Sequence, residues 1–144
     1  MLVTVEFFKG ACIMASHRIL QLNAISTAAG AVGMLATRGT LYTFFGLDTS
    51  LLLDALAVGL LLYAGALYAA AQWQPVTRGM LLAFTAADAS WVIGSVVVLL
   101  LFWGQLTPVG RSLVIAVALV VEAFATLQYR AAGRADDVRM AAAS

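Results

Sequence analysis

Three carboxylates fall inside long apolar stretches of this 144-residue chain: Asp54, Asp88 and Glu122. An ionisable group so far from water is costly, and it normally faces a partner or a wet interior. Two such acids close together in a low dielectric do not both ionise, so a neighbouring pair can exchange a proton or hold a cation or polar ligand. The same acids can instead serve as polar glue. One would be protonated or paired with Arg18 and bonded to Asn23, Thr85 or Tyr129, at ~1 kcal/mol per bond in a membrane. The residue types leave both readings open.

Helical spacing indicates what shares a face with each acid. Asp54 falls on a stripe with Leu61, Gly65, Tyr68 and Gln72, and Asp88 with Thr85, Trp91, Val92 and Ser95. Glu122 falls with Arg111, Ile115, Thr126 and Tyr129, and a further stripe carries Asn23, Ser26, Thr27, Gly30 and Thr37. Each segment thus has one polar stripe, and a bundle offers one interior for the stripes to share. The candidate intramembrane site is Asp88, Glu122, Asn23, Thr27, Tyr68 and Trp91, with Asp54 apart as an acid near the outer face, in reach of Arg38 or Arg111. Trp91, one turn from Asp88, reads as packing, with ligand stacking as the alternative. His17 reads as an interfacial residue and Cys12 as an inert thiol.

The elements that position these residues are four apolar segments, about 19–37, 50–72, 80–103 and 109–129, each near the ~20 residues that cross a hydrocarbon core. They do not alternate in polarity as transmembrane strands do, and Leu and Ala dominate them. Arg38-Gly39-Thr40 ends the first, and the aromatic stretch that follows, through Asp48, suits a headgroup region. Gln74-Pro75-Val76-Thr77-Arg78-Gly79 forms a turn, and Thr107-Pro108 reads as a helix start. Short linkers predict antiparallel sequential neighbours. Residues 1–18 form an N-terminal segment, read as an interfacial helix or the early part of a longer first helix. Residues 19–130 form the bundle and 131–144 a polar tail, and Met14 is a second candidate for the native start. The expected fold is all-α: an integral membrane antiparallel four-helix bundle.

With both termini inside, Lys9, Arg18, Arg78, Arg130, Arg134 and Arg139 are cytoplasmic, and only Arg38 and Arg111 lie outside. That bias predicts a multi-pass protein with N-in, C-in topology. Counting in from Arg78 and Arg130 puts Asp88 and Glu122 at similar depths, roughly 12–15 Å from the flanking charges. Asn23, Ser26 and Thr27 enter at that level, with Tyr63 and Tyr68 opposite.

Composition supports a bilayer setting. The chain is 63% hydrophobic and 10% charged, whereas a soluble domain is nearer half apolar and a quarter charged. A net charge of +1 carries no nucleic-acid footprint. One cysteine excludes an internal disulfide, and one histidine excludes bis-His haem within the chain. No metal site and no cofactor are expected. No lysine lies in the four apolar segments, so a retinal Schiff base is excluded, and no phosphate loop or HExxH motif occurs. Small residues recur every four positions at Ala86, Ser90 and Gly94, at Ala29 and Gly33, at Ala55 and Gly59, and at Gly65 and Ala69. Such faces let backbones meet, within one chain or between subunits.

Ala87-Asp88-Ala89-Ser90-Trp91-Val92-Ile93-Gly94-Ser95 and Leu106-Thr107-Pro108-Val109-Gly110-Arg111 resemble short stretches of small four-helix bacterial membrane proteins, loosely of the DoxX-like kind. The resemblance spans the second to fourth helices. It implies a four-helix fold in a bacterial plasma membrane and no particular activity. The leading functional expectation is a non-enzymatic accessory subunit, assembly factor or scaffold. Its partners would be the lipid bilayer and a partner membrane protein or second copy meeting the small-residue faces. The alternative is a small transporter or proton-linked permease using Asp88 and Glu122.

Overall fold

The computed structural model describes the backbone of residues 2–46, 51–73 and 76–141, and the side chains of 15–46, 51–73 and 76–134. Asp48, Gln74 and Pro75, and the side chains of Cys12 and Met14, lie outside the described residues. The described chain is all helical: α1 (Leu2–Ala36), α2 (Arg38–Phe45), α3 (Leu51–Gln72), α4 (Arg78–Phe102) and α5 (Pro108–Ala141).

Four of these contain stretches long and apolar enough to cross a membrane, Ala15–Ala36, Leu51–Gln72, Arg78–Phe102 and Pro108–Arg134. Their outward faces carry large apolar side chains, among them Leu51, Leu62 and Leu100, each more than 70% exposed. Such a surface suits hydrocarbon, not water. These are the features of a multi-pass membrane protein.

The ends of the helices follow local chemistry. Thr77 caps α4, its Oγ1 accepting from the Met80 amide at 3.2 Å. Pro108 opens α5 as expected, with Thr107 Oγ1 accepting from the Gly110 amide at 3.2 Å. Residues 38–45, expected as a linker, form the short helix α2, which ends on Gly46 in the left-handed region at φ 67°. α2 closes one end of the molecule against the α4–α5 connection. Thr107 Oγ1 donates to the Phe44 carbonyl, and a Cβ on Gly110 would stand 2.7 Å from that oxygen. Arg111 lies over the Trp103 ring at 4.5 Å. No break marks residue 18: α1 is continuous from Leu2, the longer-helix alternative of the two N-terminal readings.

α1 packs on α3, α4 on α5, and α1 on α5. α3 stands off from α4 and α5, although the sequence order predicts that α3 and α4 are close neighbours. They are joined by side chains instead: the Tyr63 and Phe84 rings meet with centroids 5.9 Å apart. At the end nearer the α3–α4 turn, Leu20, Ala24, Leu67, Ala70, Ala71, Leu81, Ala131 and Ala132 form a buried core. Alanine at the crossing points lets the helices approach closely. Half-buried His17 sits beside this core, its Nδ1 2.6 Å from the Ala71 carbonyl. Toward the α2 end the helices diverge and the interior opens into a cavity.

Candidate functional site

Asp88 is 3% exposed and lies where four helices meet. Asn23 Nδ2 of α1 donates to its Oδ2 at 2.9 Å, and Gln128 Nε2 of α5 donates to the same oxygen at 3.1 Å. Tyr63 Oη of α3 lies 2.8 Å from Oδ1. Thr27 Oγ1 donates to Asn23 Oδ1 at 3.2 Å, holding that amide with its NH2 toward the acid. Each partner sits on the buried face of its own helix. Gln128 lies on the Ala125–Gln128–Ala131 stripe, and the neighbouring alanines leave it room to be fully buried.

The Tyr63 hydroxyl has two places for its one hydrogen. It lies 2.8 Å from Asp88 Oδ1 and 3.3 Å from the Phe84 carbonyl. With Asp88 ionised, the hydroxyl donates to the carboxylate. With Asp88 protonated, the acid donates to Tyr63 Oη and the phenol turns its hydrogen to Phe84. The acid and the phenol are therefore both paired in either state of the acid.

Asp88 lines one end of a cavity of about 650 Å³ between the helices. Leu56, Leu60, Val117, Val121 and Phe124 are among its apolar walls, Trp91 lies beside Asp88, and Gly30 and Gly59 widen it. Asn23, Ser26, Thr27 and Tyr63 are its other polar liners. No group of three or more His, Cys, Asp or Glu that could hold a metal occurs among the described residues.

Of the expected site residues, the structure brings together Asp88, Asn23, Thr27 and Trp91. It does not bring Glu122 or Tyr68 to them. Glu122 is exposed, its nearest bond a long 3.5 Å contact from Thr126 Oγ1, and Tyr68 is 54% exposed. The expectation that Asp88 and Glu122 meet is therefore corrected. The residue level with Asp88 on α5 is Gln128, and Glu122 lies six positions before it. That offset is about 9 Å along the helix and about 120° around it. Counting inward from Arg130 misplaced the level, because the apolar span continues to Arg134 and an exposed arginine can extend its stem along it.

The other stripe-mates of Asp88 bond within α4: Thr85 Oγ1 donates to the Leu81 carbonyl at 2.8 Å and Ser95 Oγ to Trp91 at 2.9 Å. Tyr129 is 65% exposed and takes no part. Asp54 is remote from the node and pairs with Arg38 at 3.6 Å, one of the two partners expected for it. The small-residue faces are uncovered. Ala86, Ser90 and Gly94 are exposed, and a Cβ on Gly33, Gly59, Gly65 or Gly94 would meet nothing within 4 Å. They are not close-approach surfaces within this chain.

Gln128 was not among the expected residues. Its signal in the sequence is a neutral polar side chain spaced three positions from Ala125 and Ala131, easily passed over beside a charged Glu122. Comparison of the chain with protein-family models, with curated proteins and with solved structures finds no match.

Proposed function

We propose that this chain is a non-enzymatic binding protein of the bacterial inner membrane, N-in and C-in, that holds a lipid-soluble molecule in the cavity beside Asp88. The observation that carries this reading is a largely apolar cavity of about 650 Å³ with an acid held by three hydrogen bonds at one end. That size falls within the roughly 300–1,000 Å³ of small-molecule sites, and apolar walls with few polar groups are their usual make-up. The excess of Arg and Lys on the termini and the α3–α4 turn supports the orientation.

Two-carboxylate proton exchange is not part of the proposal, because Glu122 lies off the shared face. A second reading, a scaffold that docks a partner helix, is favoured by the open space over Ala86, Ser90 and Gly94.

The test is native mass spectrometry of the protein released from its own membranes. Wild type is expected to carry a solvent-extractable adduct, and Gly59→Leu, which fills the cavity from a position with open space, to lose it. A wild type without adduct, or an adduct that Gly59→Leu retains, contradicts the reading.

A further inference from the structure

We infer that the molecule held in the cavity is a lipophilic amine, bound as its ammonium ion with Asp88 as counter-ion. This rests on the binding reading above and specifies its ligand.

The argument is one of unused hydrogen-bonding capacity. Asn23 and Gln128 each aim one amide hydrogen at Asp88 Oδ2, and Thr27 spends its hydroxyl hydrogen on Asn23. On Asp88 itself, acceptor capacity remains. Asp88 Oδ1 takes one bond, from Tyr63, and a carboxylate oxygen has two lone pairs. A ligand that donates finds an acceptor.

Charge points the same way. With Asp88 ionised the cavity carries a negative charge, and among the described residues no Lys, Arg or His lines it. In so low a dielectric an opposite charge brought by the ligand is worth far more than in water. Trp91 lines the cavity beside the acid, and an indole face is the best aromatic surface for a cation. Apart from Asn23, Ser26, Thr27 and Tyr63, the remaining walls are aliphatic or Phe124, which suits an apolar body behind the charged head.

The test uses three probes of one shape: 1-adamantylamine, 1-adamantanol and adamantane-1-carboxylate. Each is titrated at pH 7 into the full chain in lipid nanodiscs, with Trp73→Phe and Trp103→Phe leaving Trp91 as the fluorescent reporter. The amine is expected to bind saturably and at least tenfold more tightly than the alcohol, and the carboxylate not at all. Asp88→Asn is expected to bring amine and alcohol within twofold of each other. Gly59→Leu, which leaves the acid untouched, is expected to abolish both, and it decides the matter if Asp88→Asn does not fold. Alcohol binding as tight as amine binding, with both lost in Gly59→Leu, overturns the amine assignment and leaves the binding reading standing. An amine preference that survives Asp88→Asn also overturns the assignment. Absence of saturable binding by all three probes overturns both.

Discussion

Asn23 Nδ2 lies 2.9 Å from Asp88 Oδ2, joining α1 to α4 across 65 residues of chain. α1 and α4 do not otherwise pack closely, so this bond and the Tyr63 bond to the same acid tie the α1–α3 pair to the α4–α5 pair. A double-mutant cycle of Asn23→Ala and Asp88→Ala, read by unfolding in mild detergent, is expected to give a coupling of about 1 kcal/mol, at most ~2. Coupling within error of zero would mean that the two side chains do not meet.

The two carboxylates expected to act together should now behave differently. Asp88→Leu leaves the hydrogens of Asn23 and Gln128 buried without an acceptor and should cost about 2–4 kcal/mol. Asp88→Asn should cost less than ~1 kcal/mol, because its carbonyl accepts from both amides while Tyr63 turns its hydrogen to Phe84. Glu122→Gln, on an exposed face, should shift stability by less than ~0.5 kcal/mol. A Glu122→Gln loss as large as that of Asp88→Leu would restore the acid to the interior.

How much of this was legible in the sequence depends on the residue. The four apolar spans, the helix start at Pro108 and the burial of Asp88 beside Asn23 follow from hydropathy, turn chemistry and 3.6-residue spacing. The phase of α5 did not, because its outer face is as apolar as its inner one. A helix wetted by lipid shows no polar–apolar contrast to reveal which side is inside. Charge therefore drew attention to Glu122, while the inward residue was the neutral Gln128 between alanines. α3 posed the same problem: Tyr68 and Tyr63 both lie near the right depth, and only Tyr63 points at the acid.

Two kinds of glycine should separate cleanly. Gly59→Leu enters open space and exchanges the poorest helix former but proline for a good one, so a gain of up to ~0.8 kcal/mol is expected. Gly110→Ala would bring a Cβ to 2.7 Å from the Phe44 carbonyl, and Gly46→Ala one to 2.8 Å from Gln105 O in a left-handed backbone. Each should cost about 1–3 kcal/mol through overpacking or strain. Thermal unfolding of the three variants checks this, and a stabilised Gly110→Ala would contradict the contact between α2 and α5.

Asp54 should matter little. Its partner Arg38 is 59% exposed, and an ion pair of that kind contributes less than ~1 kcal/mol. Asp54→Asn is expected to unfold within ~1 kcal/mol of wild type, with a difference that shrinks further in high salt. A larger loss that persists in high salt would place Asp54 in a drier setting than its pairing with Arg38 implies.

The central claim is that Asp88 is the acceptor on which Asn23 and Gln128 converge, and side-chain amide NMR reads it directly. Asn23 is the only asparagine in the chain, so its NH2 signals in an asparagine-labelled sample need no further assignment. In nanodiscs, the Asn23 amide resonances, and those of Gln128 assigned by their loss in Gln128→Leu, are expected to move on Asp88→Ala and to stay in place on Glu122→Ala. Amide signals indifferent to Asp88→Ala, or responding instead to Glu122→Ala, would contradict the account.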